Sequence, residues 1–135
     1  MRHVLVDAGA LIALLDRRDS HHHSCVEALK DIREPLGTVW PAVVEAMHLL
    51  ADTPGAPEAL CDLIYEGAVQ LLRVDPSDMP RVKRLMAKYG DRPMDFAAAA
   101  LVCVAEREDL NAILTFDSDF QVYRLPRRAR FRILP

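Results

Sequence analysis

The sequence predicts an α/β fold, a central parallel sheet of four to five strands covered by helices on both faces in a Rossmann-like three-layer α/β/α arrangement. Three observations predict it. Short β-rich runs alternate with helical patterns along the chain. The first such run, "HVLVD", ends on an aspartate and feeds a helix at once, as the opening of a βα unit does. The 135 residues, 51% hydrophobic and 27% charged, suit one compact domain spanning residues 1–135, with no linker or repeat dividing it.

The elements follow in order. "HVLVD" is a strand ending at Asp7, and "AGALIALLDRR" carries a helical pattern. Ser20 offers an N-cap for a helix through about Arg33. "LGTVW" reads as the second strand, and Pro41 suits the first turn of the helix "AVVEAMHLLAD". After the turn "TPGAP", a helix runs from about Glu58 to Glu66, and "AVQLLRV" is the third strand. Asp75-Pro76 starts a helix that ends near Gly90, a candidate C′ glycine. Pro93 opens the helix "MDFAAAALVCVAERE". "NAILTF" is the fourth strand, and "ARFRIL" supplies a fifth at an edge.

Composition excludes several classes. The longest apolar run, Phe96 to Ala105, lies between Asp95 and Glu106 and falls short of the roughly 20 residues a bilayer span needs. "MRHVLVDAG" reaches an aspartate too early for a secretory h-region, so a soluble cytoplasmic protein is expected. Cys25, Cys61 and Cys103 have no C-x-x-C spacing, and Cys61 and Cys103 are expected to be buried free thiols. The net charge of −3 argues against a basic nucleic-acid clamp. Two basic groups remain, Arg81, Lys83, Arg84 and Lys88 on one helix and Arg124, Arg127, Arg128, Arg130 and Arg132 near the end. They read either as solvated surface or as phosphate contacts beside an acidic centre. No G-x-G-x-x-G or Walker pattern occurs, and residue 9 is glycine, so Asp7 lacks a D-x-D partner.

The acids carry the functional signal. Parallel sheets bind ligands beyond the carboxyl ends of their strands. Asp7 ends the first strand, and Asp117 follows the fourth in "ILTFDSDF". Glu45 lies in the first turns of the helix after the second strand, among Val43, Val44, Ala46, Met47 and Leu49. That apolar setting predicts partial burial, so Glu45 needs a partner, and a metal ion is one candidate. Converging carboxylates without a cation repel one another. Magnesium reverses the repulsion and can activate water against a phosphodiester.

With these stretches in view, the sequence resembles the PIN-domain ribonucleases, in particular the VapC toxins of toxin–antitoxin pairs. The resemblance spans nearly the whole chain through "VLVDAGALIALLDRRDSHH", "WPAVVEAMHLL", "DRPMDFAAAALVCVAE" and "ILTFDSDF". It implies a PIN-like fold and a Mg2+- or Mn2+-dependent endoribonuclease, with an RNA substrate, a homodimer and a cognate VapB-like antitoxin. By the same resemblance, Asp7, Glu45 and Asp117 match acids of the family's site, Thr115 supports the T-x-D loop, and Asp119-Phe120 matches the D-F pair that often follows.

The third acid departs from the pattern. Relatives usually read "PMDLADAxLV" here, with aspartate at both positions, and this chain has Asp95 at the first and Ala98 at the second. Asp95 and Ala98 are one helical turn apart, so Asp95 is a candidate metal ligand, with Asp91 as possible support. Placed near helix position N3, Asp95 would serve either the pocket or the helix dipole, leaning away from the place residue 98 serves. The alternative function is accordingly a catalytically impaired PIN-fold module that binds antitoxin or RNA without cleaving.

Two further features read as structural. Adjacent histidines in "SHHHSC" point in different directions on a helix and chelate poorly; His22 is a weak candidate for substrate contact. Trp40, immediately before Pro41, is expected in the core.

Overall fold

The computed structural model describes residues 2–135. Its sheet contains β1 (Val4–Val6), β2 (Leu36–Thr38), β3 (Val69–Leu71), β4 (Ala112–Leu114) and β5 (Arg132–Leu134). The strands are all parallel, in the order β3-β2-β1-β4-β5. The helices are α1 (Ala8–Leu15), α2 (His22–Asp31), α3 (Trp40–Leu49), α4 (Ala56–Tyr65), α5 (Met79–Lys88) and α6 (Phe96–Glu108). Among the described residues no helix is long and apolar enough to cross a membrane.

β1 is the central strand, and all three of its residues are buried. Its apolar run is continuous rather than alternating because helices cover both faces of a parallel sheet. The chain leaves β1 toward β2 and leaves β4 toward β5, in opposite directions, so the topological switch lies between β1 and β4. Val6 pairs with Leu114, which brings the next residues, Asp7 and Thr115, out side by side at the carboxyl ends. The buried Thr38 hydroxyl donates to the Val6 carbonyl at 2.6 Å and ties β2 to the same place.

Local chemistry sets the helix starts around this crevice. Asp7 is the N-cap of α1, with extended backbone (φ −88°, ψ 176°), and its Oδ1 accepts from the Ala10 N–H at 2.9 Å. Pro41 occupies the first turn of α3, where a missing N–H costs nothing. α6 is buried through Ala97 and from Ala99 to Ala105, and its alanines bring its backbone close to its neighbours. Ala98 alone in that run stays partly open.

Several local expectations are corrected. Ser20 does not cap α2; His21 stands at the cap position without a side-chain bond, and Asp19 instead accepts the His21 N–H at 2.9 Å. The helix expected from Glu58 begins at Ala56, after Gly55 in the left-handed region (φ 77°). Asp75 and Asp78 form a reciprocal capping box around a 3-10 turn, and α5 follows it. Gly90 is not in the left-handed region; the glycine that follows a helix in that conformation is Gly67 (φ 82°), after α4. Pro93 lies in the preceding turn, because Asp95 with extended backbone is the true N-cap of α6. Cys25 and Cys103 are buried free thiols, whereas Cys61 is exposed. Trp40 is 58% exposed rather than in the core, because α3 turns its first residue outward.

Leu5 in the middle of β1 is fully buried. Leu5→Ala should lower unfolding free energy by about 2–5 kcal/mol through lost burial and a cavity, read as a shift of the urea midpoint at unchanged m-value.

Candidate functional site

A cleft of about 310 Å³ opens at the switch point. Asp7, Glu45, Asp95 and Asp117 line it, with Asp19 and His21 at one side and Ala97, Ala98, Leu101 and Phe120 among its apolar walls. Four elements, distant along the chain, thus deliver carboxylates to one place. β1 ends in Asp7, α3 carries Glu45 in its second turn, Asp95 caps α6, and Asp117 follows β4.

Asp7 is the most constrained of the four. It is 8% exposed; Oδ1 caps α1, while Oδ2 accepts a short hydrogen bond from the Thr115 hydroxyl. The Thr115 oxygen in turn accepts the Asp117 N–H at 3.0 Å, and Asp117 Oδ1 accepts the Asp119 N–H at 2.9 Å. Thr115 therefore couples the two strand ends and shapes the loop that presents Asp117.

Asp95 both caps and lines the cleft. As an N-cap its Oδ1 accepts the Ala98 N–H at 2.8 Å, so the side chain folds over the first turn of α6 instead of leaning away from it. The expectation of position N3 is corrected, and with it the direction of the carboxylate. Ala98 presents its methyl group to the same cleft, one turn further on. Asp91 is not among the cleft residues; it belongs to a separate surface depression with Arg92, Pro93 and Asp119. Asp119 is held outside the cleft by Arg92 at 3.0 Å.

A PIN domain model matches residues 4–125. The chain belongs to the PIN domain family. It is 27% identical to Ribonuclease VapC26 of Mycobacterium tuberculosis, over 98% of this chain and 100% of that protein. Its fold is similar to the crystal structure of VapC20 of M. tuberculosis, described as a sarcin-ricin loop cleaving toxin. That match has a TM-score of 0.81 at 18% identity, over 88% of this chain and 93% of the other. A second similar fold is VapBC2 from Rickettsia felis, solved bound to a DNA fragment from its promoter, with a TM-score of 0.67 at 8% identity, over 99% of this chain and 100% of the other.

Among the described residues of this PIN domain, no three His, Cys, Asp or Glu side chains are grouped tightly enough to enclose an ion by themselves. The cleft instead offers oxygen donors spread around its walls. Magnesium uses that kind of donor set, since it keeps several waters and takes one or two carboxylates directly. The basic groups left open by the sequence lie elsewhere. Arg81 makes a two-pronged pair with Glu106, and Arg124 donates to the carbonyls of Gln121, Val122 and Tyr123. Arg132 starts β5 at the opposite end of the sheet, beside Glu34.

Phe116 in the cleft wall was not legible as a site residue, and of the adjacent histidines the sequence singled out His22 whereas His21 lines the cleft. The Asp19-to-His21 turn that brings the ring inward was the available signal, because an aspartate accepting the N–H two residues on bends the chain. His22, the histidine considered for substrate contact, is spent on the Ala13 carbonyl at 2.7 Å.

The PIN cleft is electrostatically loaded. Burial raises the Asp7 carboxyl above its usual range against the Thr115 and Ala10 hydrogen bonds, and Asp117 and Asp95 add to the rise. Burial also pushes Glu45 up to about 7, assisted by the charge of Asp95 and a hydrogen bond to it, then by Asp7 and Asp117. Between the ordinary glutamate value of 4.5 and about 7, the folded chain keeps a proton that the unfolded chain has released. Stability that is complete below this window is therefore lost as pH rises through it. In EDTA, the thermal midpoint should fall over that range more steeply for the unaltered chain than for Glu45→Gln, read by scanning fluorimetry at closely spaced pH values.

Proposed function

We propose that this PIN domain is a VapC-like endoribonuclease that hydrolyses RNA phosphodiester bonds with Mg2+ or Mn2+ held by Asp7, Asp95 and Asp117. The convergence of Asp7, Glu45, Asp95 and Asp117 on one cleft is the observation that carries the reading. Burial and neighbouring negative charge hold the Asp7 and Glu45 carboxyls up, which a divalent cation would relieve. When bound, such an ion supplies an activated water and neutralises charge developing on the phosphate.

The chain's own residues have distinct tasks in this reading. Asp7 is oriented by Thr115 and the first turn of α1, so its geometry is set before anything binds. Asp117 is fixed by the turn to Asp119. Glu45 lines the same cleft and is the acid outside the proposed ligand set, which suits it to accept a proton from the attacking water. The apolar walls at Leu101, Phe116 and Phe120 limit water around the reacting strand.

The partners proposed are RNA, a VapB-like antitoxin and a second copy of the chain, in the cytoplasm. Similarity to the VapBC2 structure supports the antitoxin. The exposed Trp40, Val44 and Phe96 form an apolar face against the cleft that suits a protein partner.

Ala98 favours a second reading, an impaired module that binds without cutting, because its methyl group stands on the cleft wall at the position where the family resemblance implies an acid. A panel of structured and single-stranded RNAs incubated with Mn2+ separates the two. Cleavage that Asp7→Asn reduces at least about a hundredfold is the expected result, and cleavage indifferent to Asp7→Asn rejects the assigned centre. Ala98→Asp should strengthen manganese binding in calorimetry and raise the cutting rate. An unaltered chain that cuts nothing while Ala98→Asp cuts would establish the impaired module.

A further inference from the structure

The cleft wall contains five carboxylates (Asp7, Asp19, Glu45, Asp95 and Asp117) and, among the described residues, one basic side chain, His21. An RNA strand entering it meets carboxyl groups at almost every polar contact, and the imidazole is the one basic lining side chain able to donate a hydrogen bond to a phosphate oxygen.

His21 is also held in place. Its N–H donates to Asp19 Oδ1 at 2.9 Å, and its carbonyl accepts the Cys25 N–H at 2.9 Å as α2 begins. Its ring lies flat on Phe116, with centroids 4.5 Å apart and planes 10° from parallel. Phe116 sits between Thr115 and Asp117, so the imidazole is indexed to the loop that presents the acids. Stacking occupies the ring's face, and the ring nitrogens, on its edge, take no hydrogen-bond partner among the described residues. His22 contrasts with it, since its Nδ1 is engaged by Ala13.

We infer that His21 is a substrate-contacting residue, its imidazole donating a hydrogen bond to a phosphate oxygen of the RNA strand and so holding that strand over the carboxylates. The inference rests on the ribonuclease reading for its substrate, and neutral imidazole suffices because one ring nitrogen still carries a proton. Phe116 is then a positioning residue that acts through the ring.

The test measures binding apart from cutting. Fluorescein-labelled single-stranded and hairpin RNAs are titrated with the full chain in Ca2+ and read by anisotropy. Manganese affinity and thermal midpoint are measured on the same variants. His21→Ala should weaken RNA binding about tenfold, and His21→Gln, which keeps a donor, should recover part of the loss. Phe116→Leu should give an intermediate loss. Manganese affinity and the thermal midpoint should stay unchanged in His21→Ala. RNA affinity unmoved by His21→Ala, no RNA binding by the unaltered chain, or an equal fall in manganese affinity would each overturn the inference. Failure to cleave, with His21-dependent binding intact, would reject only the hydrolytic reading.

Discussion

Asp7 and Thr115 meet where β1 and β4 end, and much of the molecule is organised by that contact. One carboxylate oxygen closes the first turn of α1, and the other takes the Thr115 hydroxyl. The same hydroxyl oxygen receives the Asp117 N–H. A single buried side chain therefore starts a helix, couples adjacent strands across the topological switch and shapes the next acidic loop. The cost is visible in its raised pKa, since burial opposes its charge more than two hydrogen bonds favour it.

The start of α6 shows how structural and functional demands share one turn. Asp95 satisfies a backbone donor that would otherwise be orphaned at the helix end and keeps its carboxylate at the cleft wall. Alanines at 97, 99 and 100 allow the helix to pack without gaps. Ala98 is only partly buried, packed against the core on one side and open to the cleft on the other. Its methyl group leaves the wall apolar there and suits the helix, alanine being the best helix former.

Charge is distributed so that cation and anion surfaces do not meet in the cleft. Arg107 reaches Asp78 and the Arg73 carbonyl, Arg81 grips Glu106, and Arg92 holds Asp119 at the rim. These partly exposed pairs contribute modestly to stability. Their larger effect is to commit guanidinium groups to neighbouring acids, which leaves the cleft strongly acidic. His21, supported by an aromatic ring rather than an acid, is the exception in the wall.

Alternation of apolar runs made the α/β class legible, since a buried parallel strand and an amphipathic helix differ in period and length. The strand-end positions of Asp7 and Asp117 and the helix position of Glu45 were legible for the same reason, because the register of short, regular elements follows from their own residues. Asp91 was misplaced, and Asp95 was given the wrong helix position, since a turn of Pro93 and its neighbours decides where α6 begins. Trp40 and His21 were misjudged because exposure and ring orientation depend on what packs alongside. The sequence by itself determined that Asp7 ends the first strand, that Asp117 follows the fourth and that Glu45 lies early in the helix after the second. Only the tertiary structure decided that Asp95 bends over Ala98 into the cleft and that His21, not His22, faces it, because those outcomes depend on through-space contacts between segments with no local signature.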